Sequence, residues 1–432
     1  MIKKIICWLV ALLFLSNCFF LQVSADGGIF GKRYTVFYLK ENSQYAVINY
    51  VNGKQKMIVS VSFNWENSNK TAWVFPIPSS PENTDIDIVS GAPIFRGRNV
   101  IEDAKEEIGD CLGTHLALYT FSILPIIPLT FYVWTSGFMG GGGGGVSVHK
   151  TLDKYGLTTR VISSTTGAGI YEYLTENGLE VSTGIIPQLD KYVEKNYSFV
   201  VTWIASSNIS VRQPGIMIEF PTEKLYYPLT LTSIYGDAVI PTEVFAVGHV
   251  SPIIYKEIEP YVHTTYWSGY VSSYGYYAPY SSEIRNFTKT IPGQLEFTKI
   301  ELKAPSSSFK HDLWIERKAP LKVEYAKSIS SLFSDTTSFS TLVVIHLLLS
   351  MVAALIAAIF ISHSKRENIP IYILIGFGNF VGIFGLLLTS LIVGKYAKIE
   401  MSKIALFIVL FFVAYTMLVL ATYTLLLLPL QL

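Results

Sequence analysis

The stretch TTSFSTLVVIHLLLSMVAALIAAIFISHS, Thr336–Ser364, decides how the chain is read, because it holds no acidic residue, lysine or arginine. An α-helix needs about 20 apolar residues to cross a bilayer. Two further runs of this kind follow, Asn368–Gly394 and Ile404–Leu432. The expected spans are 339–362, 369–394 and 404–430. At the other end, Lys3 and Lys4 precede an apolar stretch from Ile5 to Leu21, and Val23-Ser24-Ala25 supplies small residues for cleavage. That order is the pattern of a secretory signal. The sequence therefore predicts a signal peptide over 1–25, with an uncleaved signal anchor as the competing reading, an exported region opening at Asp26, and a C-terminal all-α bundle of three membrane helices.

Composition bounds the partners. Half of the residues are hydrophobic and 15% are charged, against about 25% charged in an average soluble domain. The formal net charge of +1 provides no field to attract nucleic acid. Removal of the signal takes away Cys7 and Cys18 and leaves Cys111 without a disulfide partner, so the exported region must be held by its core. Asn69, Asn196, Asn208 and Asn286 each open an Asn-x-Ser/Thr sequon, compatible with glycosylation outside the membrane.

The exported region reads as α+β, antiparallel sheets with two short helices. Gln44–Tyr50 and Lys56–Phe63 are strand-like and flank Asn52-Gly53, a strong hairpin signal because both turn residues take positive φ. A strand over Thr71–Phe75 ends at Pro76 and Pro78, so residues 26–115 are expected to form a small antiparallel sheet, with a short helix over Ile101–Leu112. Residues 116–145 then interrupt the pattern. Leu116–Met139 is apolar, carries Pro125 and Pro128 inside it, and runs into six glycines, Gly140 to Gly145. Either this is a loop or hairpin that dips into the membrane or packs on the terminal helices, or it is a low-complexity insertion. No Lys-Ser/Thr pair follows the glycines, so they are not a phosphate loop.

Residues 146–318 read as a mixed α+β part. Thr166 is placed to cap a helix over Gly169–Glu176, and Pro187 opens a second helix through Lys195 with Leu189, Tyr192 and Val193 on one face. Strands are expected at Thr158–Ser163, Tyr197–Ala205, Ile216–Phe220, Leu229–Ile234, Val239–Val247, Gln294–Leu302 and Leu313–Ile315, before a Ser-rich linker over 319–338.

An ordered set of pieces resembles a known family. These are Gln44-Tyr45-Ala46-Val47-Ile48, Ala72-Trp73-Val74-Phe75-Pro76-Ile77-Pro78 with Ser80-Pro81-Glu82, Lys154-Tyr155-Gly156-Leu157, Tyr173-Leu174 with Asn177-Gly178-Leu179, Tyr192-Val193 with Tyr197-Ser198-Phe199-Val200, and Tyr227-Pro228-Leu229. In this order they are similar to the secreted domain-of-unknown-function family 2330 of bacteria and archaea. The resemblance implies a secreted domain and transfers no activity and no catalytic residue. The chain departs from the family in its start, Asp26-Gly27-Gly28, and in the appended membrane region.

Candidate chemistry is sparse. Cys111 and His115 lie four residues apart, one helical face, which is the minimum for an activated nucleophile; the competing reading is a buried structural cysteine. Glu82, Asp85 and Asp87 gather carboxylates that suit Ca²⁺ in principle, without the spacing of a calcium loop; the simpler reading is one exposed strand face. No cofactor motif occurs, and His149, His249, His263 and His311 are scattered. The densest aromatic stretch holds Tyr261, Tyr266, Trp267, Tyr270, Tyr274, Tyr276, Tyr277 and Tyr280 interleaved with Gly and Ser. Such a composition serves binding loops, membrane interfaces or an ordinary hairpin.

In the bundle, Ser350, Ala354 and Ala358 form a small-residue row on the first span and Gly378 and Gly382 a matching row on the second, which predicts close packing of the two. His346 is the ionisable candidate inside a span, and it falls toward the outer end of its helix. Charge counting slightly favours the second inter-span loop inside, because Lys365 and Arg366 lie in the first and Lys395, Lys398 and Lys403 in the second. The signal peptide argues the other way and takes precedence, giving a cell-membrane protein with its domain outside and its C-terminus in the cytoplasm. The expected function is a membrane-anchored module that recognises a protein or glycan through the tyrosine-rich stretch. The alternatives are a surface enzyme using Cys111 and His115, and an accessory subunit of a membrane complex.

Overall fold

The computed structural model describes residues 43–62, 72–121, 152–177, 183–204, 215–272, 282–291, 293–333, 338–361 and 369–431. The expected signal peptide, the Gly140 to Gly145 run and Asn69, Asn208, Tyr274, Tyr276, Tyr277 and Tyr280 lie outside the described residues. All described elements belong to one compact unit, Lys40–Leu432.

Among the described residues, fifteen strands precede the apolar helices: β1 Ser43–Val51, β2 Lys54–Ser62, β3 Ala72–Ile77, β4 Asp85–Val89, β5 Ile94–Asn99, β6 Leu152–Lys154, β7 Leu157–Ile162, β8 Ser198–Ile204, β9 Gly215–Pro221, β10 Leu225–Tyr227, β11 Thr242–Val247, β12 Ser251–Pro252, β13 Val262–Ser272, β14 Leu295–Leu302 and β15 Leu313–Glu316. Asn52 and Gly53 take φ of 53° and 81°, and the hairpin they close pairs Val51 with Lys54. The hairpin does not belong to a small N-terminal sheet. Its partner beyond β1 is β11, in parallel, within an eight-stranded sheet of order β4-β9-β2-β1-β11-β14-β13-β5. β3 leaves for a four-stranded sheet, β3-β8-β7-β6, and β10-β15-β12 make a third.

The large sheet must be rolled. Its edge strands β4 and β5 are joined by residues 90–93 alone, and five Cα steps reach at most about 18 Å. Seven strand spacings laid flat would need about 34 Å. Alternation sorts the side chains. Val47, Ile58, Val89, Phe95 and Phe297 fill one face together with Ile284 and Phe287, while Ala46, Ile48, Met57 and Val59 face the two smaller sheets.

Helix α1, Val100–Phe121, is rooted where β5 ends: the Asn99 side chain accepts from the Ile101 and Glu102 amides at 3.0 and 3.3 Å, an N-cap. It runs nine residues past the expected end at Leu112. α2, Gly167–Glu176, is capped by Thr166, whose hydroxyl accepts from Gly169 N–H at 3.1 Å. α3, Ile186–Val193, buries Leu189, Tyr192 and Val193. α4, Ser282–Thr288, supplies Ile284 and Phe287 to the rolled sheet. Two expectations give way here. Leu229–Ile234 does not extend as a strand; Thr230–Tyr235 is a 3₁₀ turn. The Ser-rich linker folds as α5, Leu321–Phe333, because Val323, Ala326, Ile329 and Phe333 pack in one cluster with Val100, Ala104, Ile108 and Cys111 of α1.

The C-terminal region is helical and, among the described residues, holds two apolar helices long enough to cross a membrane, α6, Ser338–Ile361, and the last helix. Between them the second apolar run does not form one helix. It makes α7, Ile369–Phe377, a 3₁₀ turn over Gly378–Val381, and α8, Gly382–Tyr396. The Thr389 hydroxyl donates to Ile375 O at 3.1 Å across 14 residues, a separation of about 21 Å on a continuous helix. The run therefore doubles back as a helical hairpin with Asn379 at its tip. The last helix, α9, Met401–Gln431, lies antiparallel to α6. His346, near the start of α6, meets Tyr415, whereas Ala354, farther along, shares the Gly376 contact with Phe411. The end of α9 thus returns to α5, where Tyr325 donates to Leu426 O at 3.0 Å.

Candidate functional site: a lysine-rimmed cleft and a buried histidine–tyrosine chain

Two polar centres stand out, one in the β-rich part and one in the helices. The first is built on Asp312, just before β15 and 9% exposed. Tyr192 donates to its Oδ1 at 2.7 Å and Tyr226 to its Oδ2 at 3.1 Å. The amides of Leu229 and Thr230 each donate to Oδ1 at 2.9 Å. Those amides open the 3₁₀ turn that replaced the expected strand, so the carboxylate caps it. Burial first, and then the Asp312 charge, raise the Tyr192 and Tyr226 hydroxyls above the usual tyrosine range, holding both as neutral donors. Tyr197 is pushed up to about 12 by the same two causes in the same order.

Asp312 floors an open cleft of about 980 Å³. Its rim carries Lys191, Lys195, Lys224 and Lys310 together with Glu194 and Glu223, Lys224 pairing with Glu316 at 3.2 Å, and the half-buried rings of Tyr255 and Trp314 line its wall. Lys191 comes from α3, Lys224 from the turn before β10, and Lys310 and Trp314 from either side of Asp312. Tyr255 donates to His311 O at 2.9 Å, and burial pushes its hydroxyl up to about 12. Trp314 packs on Tyr226 with ring centroids 4.9 Å apart. No local pattern marked this cleft in the sequence; its lysines come from three separate segments.

The second centre joins α1 to the apolar helices. His115 is 1% exposed and continues the stripe of Val100, Ala104, Ile108 and Cys111. Its Nε2 lies 2.6 Å from Tyr415 Oη and its Nδ1 3.2 Å from Tyr423 Oη, both on α9. Tyr415 Oη lies 2.6 Å from His346 Nδ1, and His346 Nε2 lies 2.8 Å from Asn379 O at the hairpin tip. Tyr423 also donates to Cys111 O at 3.4 Å. The Asn379 amide donates to Ser350 at 2.9 Å, while its own Oδ1 is buried without a hydrogen-bond partner among the described residues. His346 is thus engaged at both ring nitrogens, which differs from a histidine hydrated at a helix end. Gly376, rather than Gly378, lies against Ala354 of the buried row Ser350, Ala354 and Ala358. Gly378 sits against Thr389 and Gly385 inside the hairpin, and Gly382 opens α8.

The remaining sequence candidates are dispersed. Tyr266 is buried beside His249, with centroids 5.9 Å apart, and Trp267 stacks on Phe297. Tyr261 and Tyr270 are exposed. Asp87 pairs with Lys154 at 3.3 Å, and Lys154 reaches Glu283 at 2.6 Å; Glu82 lies on a separate 3₁₀ turn and Asp85 on β4. Among the described residues no group of three or more His, Cys, Asp or Glu is placed to hold a metal. Asn196 and Asn286 are exposed.

No protein-family model matches the chain, and no curated protein is similar to it. Among solved structures, the chain is similar to one in the caspase-8/P35 complex, at 8% identity over 66% of this chain and 100% of that one, with a TM-score of 0.26. A mutated baculovirus P35 after caspase cleavage matches at 9% identity over 64% of this chain and 96% of that one, with a TM-score of 0.23. At those scores neither likeness supports a fold or a function for this chain.

Proposed function

We propose that the protein is a membrane-anchored binding module whose lysine-rimmed cleft takes an acidic glycan. The observation that carries this reading is the cleft: around two half-buried rings, over a space of about 980 Å³, four lysines outnumber Glu194 and Glu223, and three of them, Lys191, Lys195 and Lys310, make no ion pair among the described residues. Flat rings stack on sugar faces, and lysines placed around them pair with carboxylates along a chain. Asp312 is not available to a ligand in this reading, since its oxygens are already held by four donors. The binding surface moves accordingly from the tyrosine-rich stretch to the cleft, and the resemblance to family 2330 fits an exported domain of this kind. The test uses the full chain in nanodiscs, titrated with a uronic-acid oligosaccharide, its neutral methyl ester and an acidic peptide of equal charge. Salt-sensitive binding of the uronate alone, lost in Lys191→Glu/Lys310→Glu, is expected. Equal binding of the ester or peptide, or unchanged binding by the variant, overturns the reading.

The anchor in this proposal has two crossings, α6 and α9, with α7 and α8 entering the bilayer and returning to the same side. Backbone that turns within the membrane is tolerated where protein surrounds it, and the hairpin tip meets His346 and Ser350. Charge supports this arrangement. Lys365 and Arg366 lie between α6 and α7, and Lys395, Lys398 and Lys403 between or beside α8 and α9, so a returning hairpin puts all five on one side. The positive-inside tendency and the signal peptide then agree, with the domain outside. The C-terminus returns outside with it, instead of reaching the cytoplasm as three spans require. A C-terminal epitope tag accessible to antibody on intact cells is expected; a tag reached only after permeabilisation restores three crossings.

A further inference from the structure

The turn between β11 and β12 seats a histidine where the rolled sheet meets the helices. Gly248 takes φ of 90° there, and its N–H donates to Glu296 O at 2.6 Å. The fully buried Thr298 hydroxyl donates to Gly248 O and accepts from Val250 N–H, both at 2.9 Å. The backbone on either side of His249 is therefore pinned to β14. The His249 ring stands edge-on to Tyr266 of β13, with centroids 5.9 Å apart. Tyr266 belongs to the apolar cluster that holds Val100 and Ala104 of α1 and Val323 and Ala326 of α5. Lys327 of α5 reaches the same place from the helix side and pairs with Glu296 at 2.7 Å.

The two ring nitrogens of His249 have unequal surroundings. Nε2 lies 3.0 Å from Trp267 O, a carbonyl that can only accept, so Nε2 carries the ring proton of the neutral form. Nδ1 is buried, has no hydrogen-bond partner among the described residues, and faces Glu296 Oε2 at 3.5 Å. We propose that His249 is an acid-sensitive latch: neutral, it closes the junction between the sheet and α5, and protonated at Nδ1 it releases α5 from the sheet. The neutral ring has one N–H and one acceptor for it. A proton taken from solvent adds a second N–H and a full charge to a side chain that is only 2% exposed, and a buried charge without close pairing is costly. Because α6 is the next helix after α5, release loosens the β-rich part from the apolar helices.

The charges facing the ring come from two elements. Glu296 of β14 and Glu324 of α5 attract an imidazolium, Lys327 of α5 repels it, and β13 offers only the uncharged Tyr266 and the Trp267 carbonyl. Glu296 is the nearest of these, but Lys327 already holds its Oε1. Its side chain is also 43% exposed, so water weakens its pull on the ring while the ring bears the cost of burial. Burial therefore leads, and it holds His249 below its ordinary value of 6.5. The released ring, in water, takes up a proton more readily than the seated one. Stability of the closed junction is whole above 6.5; its loss begins as pH falls through that value and is complete below the lower midpoint of the seated ring.

The test is hydrogen exchange of the full chain in nanodiscs, read by mass spectrometry at about pH 7.5 and about pH 5.5 and corrected for intrinsic rates, beside a ¹⁵N NMR titration of His249. Exchange of the α5 amides is expected to rise on acidification, by at most about tenfold per pH unit for one proton. His249 is expected to titrate below 6.5. His249→Gln keeps an N–H for Trp267 O and has no charge to gain, so its α5 exchange should stay level. Lys327→Gln removes the cation that opposes the imidazolium and frees Glu296 to accept from Nδ1–H, so the midpoint should rise and the acid response shrink. Because Lys327 is not part of the buried core, this variant keeps the test decisive if His249→Gln does not fold. A His249 midpoint at or above 6.5, level α5 exchange in the native chain, an equal acid response in His249→Gln, or an unmoved midpoint in Lys327→Gln would each overturn the proposal.

Discussion

The Asp312 centre and the His115–His346 chain are both buried polar systems, and they differ in how firmly their donor and acceptor roles are fixed. Asp312 receives four donors on two oxygens, and both tyrosines have only one useful orientation. It is a finished knot that fastens α3, β10 and a 3₁₀ turn to β15. The chain in the helices joins two histidines through a tyrosine hydroxyl, and which group donates at each link depends on the histidine tautomers. A fixed acceptor surrounded by fixed donors marks a device for stability, whereas groups that both donate and accept can exchange those roles without moving apart.

The contrast can be broken by substitution. Asp312→Ala strands two buried hydroxyls and two amides and should cost about 3–5 kcal/mol in thermal unfolding; a loss below about 1 kcal/mol would remove the distinction. Gly376→Leu drives a side chain into Ala354 and Phe411 and should cost about 1–3 kcal/mol, read as loss of the folded bundle on detergent extraction. Tyr415→Phe removes the hydroxyl between two neutral imidazoles, and about 1–2 kcal/mol is expected, less than at the charged Asp312. Alkaline pH sharpens the comparison further. Tyr197 has its ordinary value of 10.0 when unfolded and about 12 when folded, so the folded state holds the proton longer. Stability from this group is whole below pH 10 and falls as pH rises toward 12. Asp312→Asn, which removes the charge beside Tyr197, should soften that decline in pH-dependent denaturation. The smallest effect expected is Thr166→Ala, about 1 kcal/mol for the lost α2 cap, measured by urea unfolding.

Local features of the fold were legible because their causes are local. Asn52-Gly53 closes its hairpin from within, and Thr166 and Pro187 mark helix starts next to them. The errors have distant causes. Leu229–Ile234 alternates like a strand, but its first amides are held by Asp312, 83 residues from Leu229. Residues 319–338 look like a linker until Val323 and Ile329 meet the stripe of α1. The apolar run from Asn368 satisfies a length test for one span, yet Gly378 and Gly382 with Asn379 between them permit a turn that hydropathy does not register. His115 was singled out with Cys111 as its partner. Its ring partners lie 300 and 308 residues away, and no spacing rule reaches that far. The cleft had no local signal, since only folding gathers its lysines.

The pairing of His115 with α9 also sets a timetable. Ribosomes add about 5–20 residues per second, and 308 residues separate His115 from Tyr423. The apolar half of α1 therefore waits roughly 15–60 seconds after it is made before its closing helix exists. During that interval the strands can assemble, but the end of α1 needs a temporary host, either the bilayer itself or a chaperone at the export site. A ribosome that stops short of Tyr423 releases a domain in which His115 lacks its contacts to this helix.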